Sequence, residues 1–257
     1  MTSTSKILGF VPARMAASRF PGKPLADIAG RPLLEHCYLR ARLFERWDGL
    51  FIATCDDDVR AFAEDKDYPV IMTVDTHTRA LDRVAEAAEK CGDVSDDDIV
   101  VCVQGDEPLL GPDMIEAVIQ PFFDDPEVEG TLLSVPIPDE ETFHNPDMVK
   151  LVHDLKGDVL FTSRAPIPYA RKFSFDIGAK RVGGIFGFRW HFLKWFTDLP
   201  ESPLEIAEAC DCNRIYDNDR RQRVAPAPAR PYLSVDSPED IARVEAVIRD
   251  DSLWRKY

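Results

Sequence analysis

Apolar residues in the first half of the chain form short continuous runs that alternate with longer segments of helical spacing. The runs predict strands at residues 7–11, 50–54, 70–73 and 99–103. The longer segments predict helices at residues 31–46, 80–90 and 113–123, and one that ends near residue 64 after a cap at Asp56. Strands and helices alternating at this spacing predict a parallel sheet with right-handed crossovers.

The second half is less regular. It predicts strands at residues 131–137, 149–153, 159–162 and 183–188, and a Pro-rich connection at residues 226–231. We therefore expect a single α/β domain over residues 1–257. Its doubly wound, mostly parallel sheet carries a smaller antiparallel insertion at about residues 136–188.

Two further helices are predicted from their starts. Ser202-Pro203-Leu204-Glu205 and Ser237-Pro238-Glu239-Asp240 each place serine at the N-cap, proline in the first turn and an acid at the third position. The same residues leave a second interpretation open for Glu205, because an acid in a capping box has a purely structural role.

Composition narrows the classes of protein. No apolar stretch approaches the roughly 20 residues that cross a bilayer, and residues 1–6 lack the apolar core of a signal peptide, so we expect a cytoplasmic protein without membrane insertion. A net charge of −15 argues against nucleic acid as a partner. The six cysteines show no CxxC pair, which favours reduced thiols over a zinc site.

A cluster of cations follows the first predicted strand. Arg14, Arg19 and Lys23 lie in one loop, and Gly22 frees the backbone beside the lysine. Guanidinium groups and an ammonium suit a triphosphate and a departing pyrophosphate. The loop lacks the GxxxxGK[ST] pattern of a Walker A motif, and the residues alone leave a solvated basic loop as an alternative.

Carboxylates follow two other strands. Asp106 stands in Gln104-Gly105-Asp106-Glu107-Pro108, directly after the apolar run at residues 99–103. Because ligands bind at the carboxyl ends of parallel strands, Asp106 is a candidate Mg²⁺ ligand. Asp236 is a second candidate, and its alternative is to lead into the cap at Ser237.

Taken together, these segments resemble the 3-deoxy-manno-octulosonate cytidylyltransferases, from about residue 7 to residue 247. The first two motifs are specific, because sialic-acid cytidylyltransferases carry a different loop and sugar-1-phosphate uridylyl- and guanylyltransferases a more glycine-rich one. The matching motifs, in chain order, are Val11-Pro12-Ala13-Arg14 with Ser18-Arg19-Phe20-Pro21-Gly22-Lys23-Pro24-Leu25, then Gln104-Gly105-Asp106-Glu107-Pro108, Ser163-Arg164 with Ile167-Pro168, Ser202-Pro203-Leu204-Glu205 with Glu208, and Val235-Asp236-Ser237-Pro238-Glu239-Asp240.

The resemblance implies a Rossmann-like nucleotidyltransferase fold and a Mg²⁺-dependent transfer of CMP from CTP to a 3-deoxy-octulosonate-type acidic sugar. Pyrophosphate is released, the pathway is lipopolysaccharide or capsule biosynthesis, and the insertion makes a homodimer. The implied roles are catalysis by Arg14, Lys23 and Asp106; nucleotide binding by Pro12, Ala13, Arg14, Arg19, Lys23, Arg83 and Gln104; sugar binding by Gln104, Arg164, Glu205 and Glu208; and metal binding by Asp106 and Asp236.

The chain departs from the family pattern in three places. Thr78-Arg79-Ala80-Leu81-Asp82-Arg83 replaces S-G-T-[DE]-R near the base, although Asp82 and Arg83 remain. Val182 and Phe186 stand where the family has histidine and tyrosine near the sugar. The last motif is preceded by Tyr232 in place of a glycine-rich chain. Losing hydrogen-bonding groups from a sugar site changes selectivity.

Two alternatives to this function stay open at the level of sequence. One is a cytidylyltransferase for a different acid, such as an amino- or deoxy-ulosonate or a smaller anion. The other is a nucleotide-sugar-binding or glycosyltransferase-like protein that transfers no nucleotide. Asp56-Asp57-Asp58 formally fits the D-x-D motif of glycosyltransferases, but its place at a predicted helix start favours a cap. For Glu208, Asp211 and Arg214, spacing in steps of three also allows a surface salt-bridge row.

Overall fold

The computed structural model describes residues 5–16, 19–228 and 230–257. Ser18 of the first motif, residues 1–4 of the N-terminal segment and residue 229 of the Pro-rich stretch lie outside the described residues. The strands are β1 (Ile7–Ala13), β2 (Asp27–Ile28), β3 (Arg31–Pro32), β4 (Gly49–Thr54), β5 (Val70–Met72), β6 (Ile99–Val103), β7 (Gly130–Pro136), β8 (Lys150–His153), β9 (Val159–Ser163), β10 (Lys180–Arg189) and β11 (Arg223–Pro226).

Helices occupy much of the chain between the strands. They are α1 (Leu33–Arg42), α2 (Asp57–Asp65), α3 (Ala80–Lys90), α4 (Pro112–Ile119), α5 (Pro121–Asp124), α6 (Glu140–His144), α7 (Trp190–Asp198), α8 (Pro203–Glu208), α9 (Asn213–Asp217) and α10 (Glu239–Ile248). Among the described residues, none of these helices is both long and apolar enough to cross a membrane.

The chain divides into two compact units. The first comprises Met1–Glu116 and Pro228–Tyr257. Its sheet has the order β6-β1-β4-β5, and every pair in it is parallel. All five residues of β6 are buried, as its continuous apolarity predicts for a strand covered on both faces. The predicted α/β fold with a parallel sheet is confirmed, and β6 and α3 have the predicted bounds.

The second unit comprises Ala117–Ala227 and contains the antiparallel strands. Here β10 pairs with β7 and β8, and β8 pairs with β9, all antiparallel, while β11 joins β7 in parallel. The antiparallel region is thus real, but it belongs to a unit larger than the insertion predicted at about residues 136–188.

Some predicted elements differ from the structure in their bounds, and the residues at those bounds explain the difference. The helix predicted at 31–46 begins only at Leu33, because Arg31 and Pro32 pair with β2. The helix predicted at 113–123 is divided at Pro121, which lacks the N–H that continues a helix. The predicted Pro-rich connection begins inside β11, since Pro226 ends that strand.

Candidate active site

The loop after β1 is tied at its base by backbone hydrogen bonds. The Gly22 N–H donates to the Met15 carbonyl at 3.0 Å, and Gly22 has a positive φ of 77° that suits glycine. The chain then enters a short 3₁₀ turn, Lys23–Leu25. This geometry returns Lys23 to the end of the strand that Arg14 has just left. We call residues 14–23 the phosphate loop.

The loop after β6 approaches the phosphate loop closely at Gly105. A Cβ atom at this position would lie 2.7 Å from the Pro12 carbonyl oxygen, so a side chain there would force the two segments apart. Asp106 follows, and its carbonyl oxygen accepts a 2.9 Å hydrogen bond from the Val235 N–H. The backbone therefore holds the segments that carry Asp106 and Asp236 side by side.

Each candidate metal ligand is paired with a cation of the phosphate loop. Lys23 Nζ donates to Asp106 Oδ2 at 2.8 Å and to the Val235 carbonyl at 3.0 Å. Arg19 Nη2 lies 2.8 Å from Asp236 Oδ1. The motifs that the sequence separates by more than 80 residues thus meet in one cluster of alternating charge.

The electrostatics of this cluster fit a divalent cation. Burial, and then the neighbouring Asp106 carboxylate, raise the pKa of Asp236 above its ordinary value, against the opposing effect of Arg19 and Lys23. Asp106 Oδ1 is buried and has no hydrogen-bond partner among the described residues. A bound metal cation would relieve the repulsion between the two carboxylates. Asp106 Oδ1, which accepts no hydrogen bond, is a suitable ligand for the hard cation Mg²⁺.

The loop at residues 73–77, which is hydrogen-bonded to α3, forms another wall of the site. The Arg83 guanidinium is buried and donates to the Thr73 hydroxyl and to the carbonyls of Val74 and His77. One turn further along α3, Glu86 accepts from the Val74 N–H at 3.0 Å and lies 2.6 Å from His77 Nε2. The Arg83 guanidinium therefore holds residues 73–77 in the structure, and its contact with nucleotide stays a prediction.

These walls enclose a cavity of about 270 Å³ within the first unit. Every residue predicted to bind nucleotide or metal lines it, so the site residues of this unit are brought together. The lining residues are Pro12, Ala13, Arg14, Arg19, Phe20, Lys23, Pro24, His77, Thr78, Arg79, Ala80, Arg83, Gln104, Gly105, Asp106 and Asp236.

The charge of this lining suits an anion. It contains four arginines and one lysine against two carboxylates, which leaves an excess of three positive charges when histidine is neutral. In a chain whose net charge is −15, this concentration of cations is a specific feature of the cavity. Potentials of this sign raise the local concentration of a polyanion such as a nucleoside triphosphate.

Sequence reasoning missed part of this wall. His77, Thr78 and Arg79 line the cavity but were assigned no role. The departure from the family pattern at residues 78–83 was the available signal, because a change of residue types near a base marks a wall of the site.

The three predicted sugar ligands of the second unit have other partners. Arg164 donates to the carbonyls of Pro146, Glu208 and Ala209. Glu208 accepts from the Ser163 hydroxyl at 2.8 Å and from the Arg164 N–H at 2.9 Å. These hydrogen bonds give Arg164 and Glu208 a structural role, and their predicted sugar contacts stay predictions.

Glu205 is the clearest case. Its side chain has no exposed surface, and its two oxygens accept from Arg214 at 2.7 and 2.8 Å. It also completes the capping box of α8 with Ser202. The capping-box interpretation of Glu205 is therefore confirmed, its carboxylate also forms a buried ion pair with Arg214, and its sugar contact stays a prediction. At the start of α10, the Ser237 N–H and hydroxyl both donate to the predicted acid, Asp240, and Pro238 directly before the helix makes no side-chain capping hydrogen bond.

A parallel sheet whose strand ends converge on a cationic cavity with two carboxylates is the arrangement expected of a nucleotidyltransferase. A cytidylyltransferase family model matches residues 8–222. The 3-deoxy-manno-octulosonate cytidylyltransferase of Nitratidesulfovibrio vulgaris strain DP4 is 40% identical over 256 residues, covering 98% of this chain and 99% of the relative. That of Syntrophotalea carbinolica is 38% identical over 251 residues, covering 95% and 98%. The chain belongs to the 3-deoxy-manno-octulosonate cytidylyltransferase family.

Solved structures agree with this assignment. A CMP:2-keto-3-deoxy-manno-octonic acid synthetase complexed with CTP superposes with a TM-score of 0.86 at 32% identity, over 96% of this chain and 99% of the other. A 4-diphosphocytidyl-2C-methyl-D-erythritol synthase from Anaerococcus prevotii shares the fold, with a TM-score of 0.62 at 15% identity over 95% of this chain and 99% of the other. The chain is a cytidylyltransferase, and the sequence-based assignment is confirmed at the level of family, fold and enzyme class.

Proposed function

We propose that this protein transfers CMP from CTP to 3-deoxy-manno-octulosonate or a close relative of that acid, in the cavity lined by the phosphate loop. The observation that carries the proposal is the pairing of Lys23 with Asp106 and of Arg19 with Asp236 inside this cavity. Cations for a triphosphate and carboxylates for a metal lie within hydrogen-bonding distance of each other. Relatives named for this reaction cover nearly the whole chain.

The reaction needs no covalent bond to the enzyme. A hydroxyl of the acid attacks the α-phosphorus of CTP, a new oxygen–phosphorus bond forms, and the bond to the β-phosphate breaks. The hydroxyl proton passes to solvent and pyrophosphate leaves. In this proposal Arg14 and Lys23 hold the phosphates and stabilise the charge that develops on the leaving group. In the same proposal Gln104, which follows β6 and lines the cavity, contacts the base or the acid.

We assign the metal ligands to Asp106 and Asp236. Bound Mg²⁺ supplies neutralisation of phosphate charge and lowers the pKa of the attacking hydroxyl. The partnerless Oδ1 of Asp106 supports the assignment, as does the raised pKa of Asp236. Among the described residues, no group of three or more His, Cys, Asp or Glu side chains could hold a metal, so phosphate oxygens and water complete the proposed coordination.

The D-x-D alternative loses its support. Asp56 is engaged by the Met15 N–H, while Asp57 and Asp58 form the exposed first turn of α2. A glycosyltransferase reading would require these carboxylates at the metal site. We therefore keep Asp106 and Asp236 as the residues that would hold the metal.

We propose that the protein is a cytoplasmic homodimer. All six cysteines are free thiols, which suits a reducing compartment. In the second unit the aromatic side chains of Tyr169 and Phe175 are 86% and 74% exposed, and Phe175 contacts Phe173 of a small apolar cluster. Exposed aromatic groups are typical of interfaces. Sedimentation equilibrium should give twice the chain mass, and a monomer at micromolar concentration would contradict the dimer.

The substrate proposal is tested by product analysis. The enzyme is incubated with CTP or UTP and 3-deoxy-manno-octulosonate, with Mg²⁺ or with EDTA, and the products are separated by mass spectrometry. We expect pyrophosphate and the CMP-linked acid in equal amounts, only with CTP and metal. Pyrophosphate without a CMP-linked product, or equal use of UTP, would contradict the proposal.

A further inference from the structure

Asp56 stands where a helix is usually capped, but its carboxylate binds a different partner. It precedes α2 with extended backbone angles, φ −103° and ψ 129°, and makes no side-chain capping hydrogen bond. Aspartate is preferred at this position because its oxygen can accept from the free N–H groups of the first turn. Here Oδ2 accepts a 2.8 Å hydrogen bond from the Met15 N–H instead.

Strand register explains how these residues, 41 positions apart, come together. β1 and β4 pair in parallel with Ala13 opposite Thr54, so Met15 and Asp56 each lie two residues beyond a matched pair. The Asp56 N–H donates to the Thr54 hydroxyl at 3.1 Å, which anchors the turn that carries the carboxylate. The parallel pairing of β1 and β4 therefore brings Met15 and Asp56 into contact.

Met15 is held on both sides. Its N–H donates to Asp56, and its carbonyl accepts from the Gly22 N–H at 3.0 Å. Arg14 directly precedes this clamped residue, and Lys23 directly follows Gly22. The Asp56 carboxylate thus fixes the base of the phosphate loop at the point between its two proposed phosphate ligands.

We propose that Asp56 is a positioning residue for the phosphate loop, which it holds ready for the triphosphate through Met15. The proposal rests on the proposed function of the cavity. Charge alone disfavours an acid beside an anion-binding loop, since its field opposes the incoming phosphates. Its benefit is pre-organisation, because a loop ordered in advance loses less entropy when ligand binds.

The kinetic test compares Asp56→Ala, Asp56→Asn and the control Asp58→Ala. Asp58 is exposed on the first turn of α2, so its removal makes the same change of net charge at the start of the same helix. We expect Asp56→Ala to raise the KM for CTP about tenfold with kcat changed less than about threefold. Asp56→Asn should stay near the wild type because its amide oxygen still accepts from Met15, and Asp58→Ala should also stay near it.

A second measurement, limited proteolysis, tests how well Asp56 holds the phosphate loop in the absence of turnover. Trypsin can cleave after Arg14 and Arg19, and the nucleotide-free Asp56→Ala protein should be cut there about tenfold faster than the wild type, the asparagine variant and the control. Equal cleavage and equal KM in Asp56→Ala and Asp58→Ala would overturn the proposal, as would a lowered melting temperature with neither change. If the wild type fails to use CTP, the proposed function fails, and the cleavage rates still decide the role of Asp56.

Discussion

Lys23 binds two oxygens that belong to the proposed metal and phosphate site. Its ammonium is 2.8 Å from Asp106 Oδ2 and 3.0 Å from the Val235 carbonyl, and its side chain is only 16% exposed. Arg19 makes the equivalent pair with Asp236 from a more exposed position. The two carboxylates are therefore neutralised by Lys23 and Arg19, and in the proposed reaction a triphosphate with its metal has to draw these cations away from them.

This arrangement predicts that Mg²⁺ binds weakly before nucleotide, because the lysine charge repels it. Lys23→Met should tighten binding of Mg²⁺ alone about tenfold while weakening CTP binding. Isothermal titration calorimetry measures both affinities. Lys6→Met is the matched control, since Lys6 pairs with exposed Asp93 and the variant makes the same change of charge.

If Mg²⁺ affinity is unchanged in Lys23→Met, the lysine does not compete for the metal ligand. If CTP affinity is also unchanged, Lys23 does not belong to the phosphate site.

At the scale of elements, α3 and the loop before it act together. Glu86 binds the Val74 N–H, His77 and Lys90, and Arg83 binds the same loop from one turn earlier. Burial raises the pKa of Glu86, but Lys90, the Val74 N–H and His77 outweigh it, so the net pKa lies below the ordinary value. The loop that carries His77 and Arg79 into the cavity is thus held by a carboxylate that stays ionised.

Because folding lowers the pKa of Glu86, its contribution to the free energy of unfolding depends on pH. A carboxyl whose pKa is lowered by folding stabilises the fold above its unfolded-state pKa, and the contribution is lost as the pH falls through the folded-state pKa. Glu86→Gln should therefore lower the free energy of unfolding by about 1 kcal/mol at pH 7, and the difference from the wild type should shrink below about pH 4. Urea denaturation at both pH values measures it. A difference that grows on acidification would contradict the assignment.

A second element-scale prediction concerns α8. The Glu205–Arg214 pair is buried, so Glu205→Gln should cost about 3 kcal/mol of stability by leaving Arg214 without its counter-charge. KM for the acid should stay near the wild type at temperatures where the variant is folded. Asp219→Asn, at a residue that is 98% exposed, is the control. A large rise in KM with unchanged stability would restore Glu205 to the sugar site.

Elements with a strong local signal could be predicted, and those set by tertiary context could not. Ile99–Val103 and Ala80–Lys90 have the predicted bounds because continuous apolarity and helical periodicity act within one segment. β11 was not predicted, because it is short and its partner β7 lies far along the chain, and the predicted Pro-rich connection starts at its last residue, Pro226. The hydrogen-bond partners of a guanidinium such as that of Arg164 are carbonyls far along the chain, and the spacing of residues does not predict them.

At the scale of the whole molecule, the residues predicted for the site are divided between the two units. The first contains the cavity that all predicted nucleotide and metal residues line, and they lie together because strand ends of a parallel sheet converge. The second contains Arg164, Glu205 and Glu208, whose motif match gave no information on burial. The family motifs thus predicted which residues of the first unit line one cavity, but they did not predict the hydrogen-bond partners of individual side chains.

The altered residues of β10 predict a change in acceptor preference. Phe186 is only 5% exposed, and neither it nor Val182 offers a side-chain hydrogen bond where the family has tyrosine and histidine. An unpaired sugar hydroxyl costs roughly 1–3 kcal/mol, so a deoxy or otherwise less polar ulosonic acid should compete well with 3-deoxy-manno-octulosonate. Equimolar competition with CTP measures this. The prediction is wrong if 3-deoxy-manno-octulosonate outcompetes every analogue with a kcat/KM of about 10⁴ M⁻¹s⁻¹ or more.

The central claim is that Asp106 and Asp236 form the metal site of CMP transfer. Pyrophosphate release from CTP and the acid acceptor, followed across a Mg²⁺ titration, tests it in the wild type, Asp106→Asn and Asp236→Asn, with Asp113→Asn as a carboxylate control outside the cavity. We expect each site variant to lower turnover at least about a hundredfold while the control keeps it. Folded Asp106→Asn or Asp236→Asn protein with near-normal, Mg²⁺-saturable turnover would contradict the account.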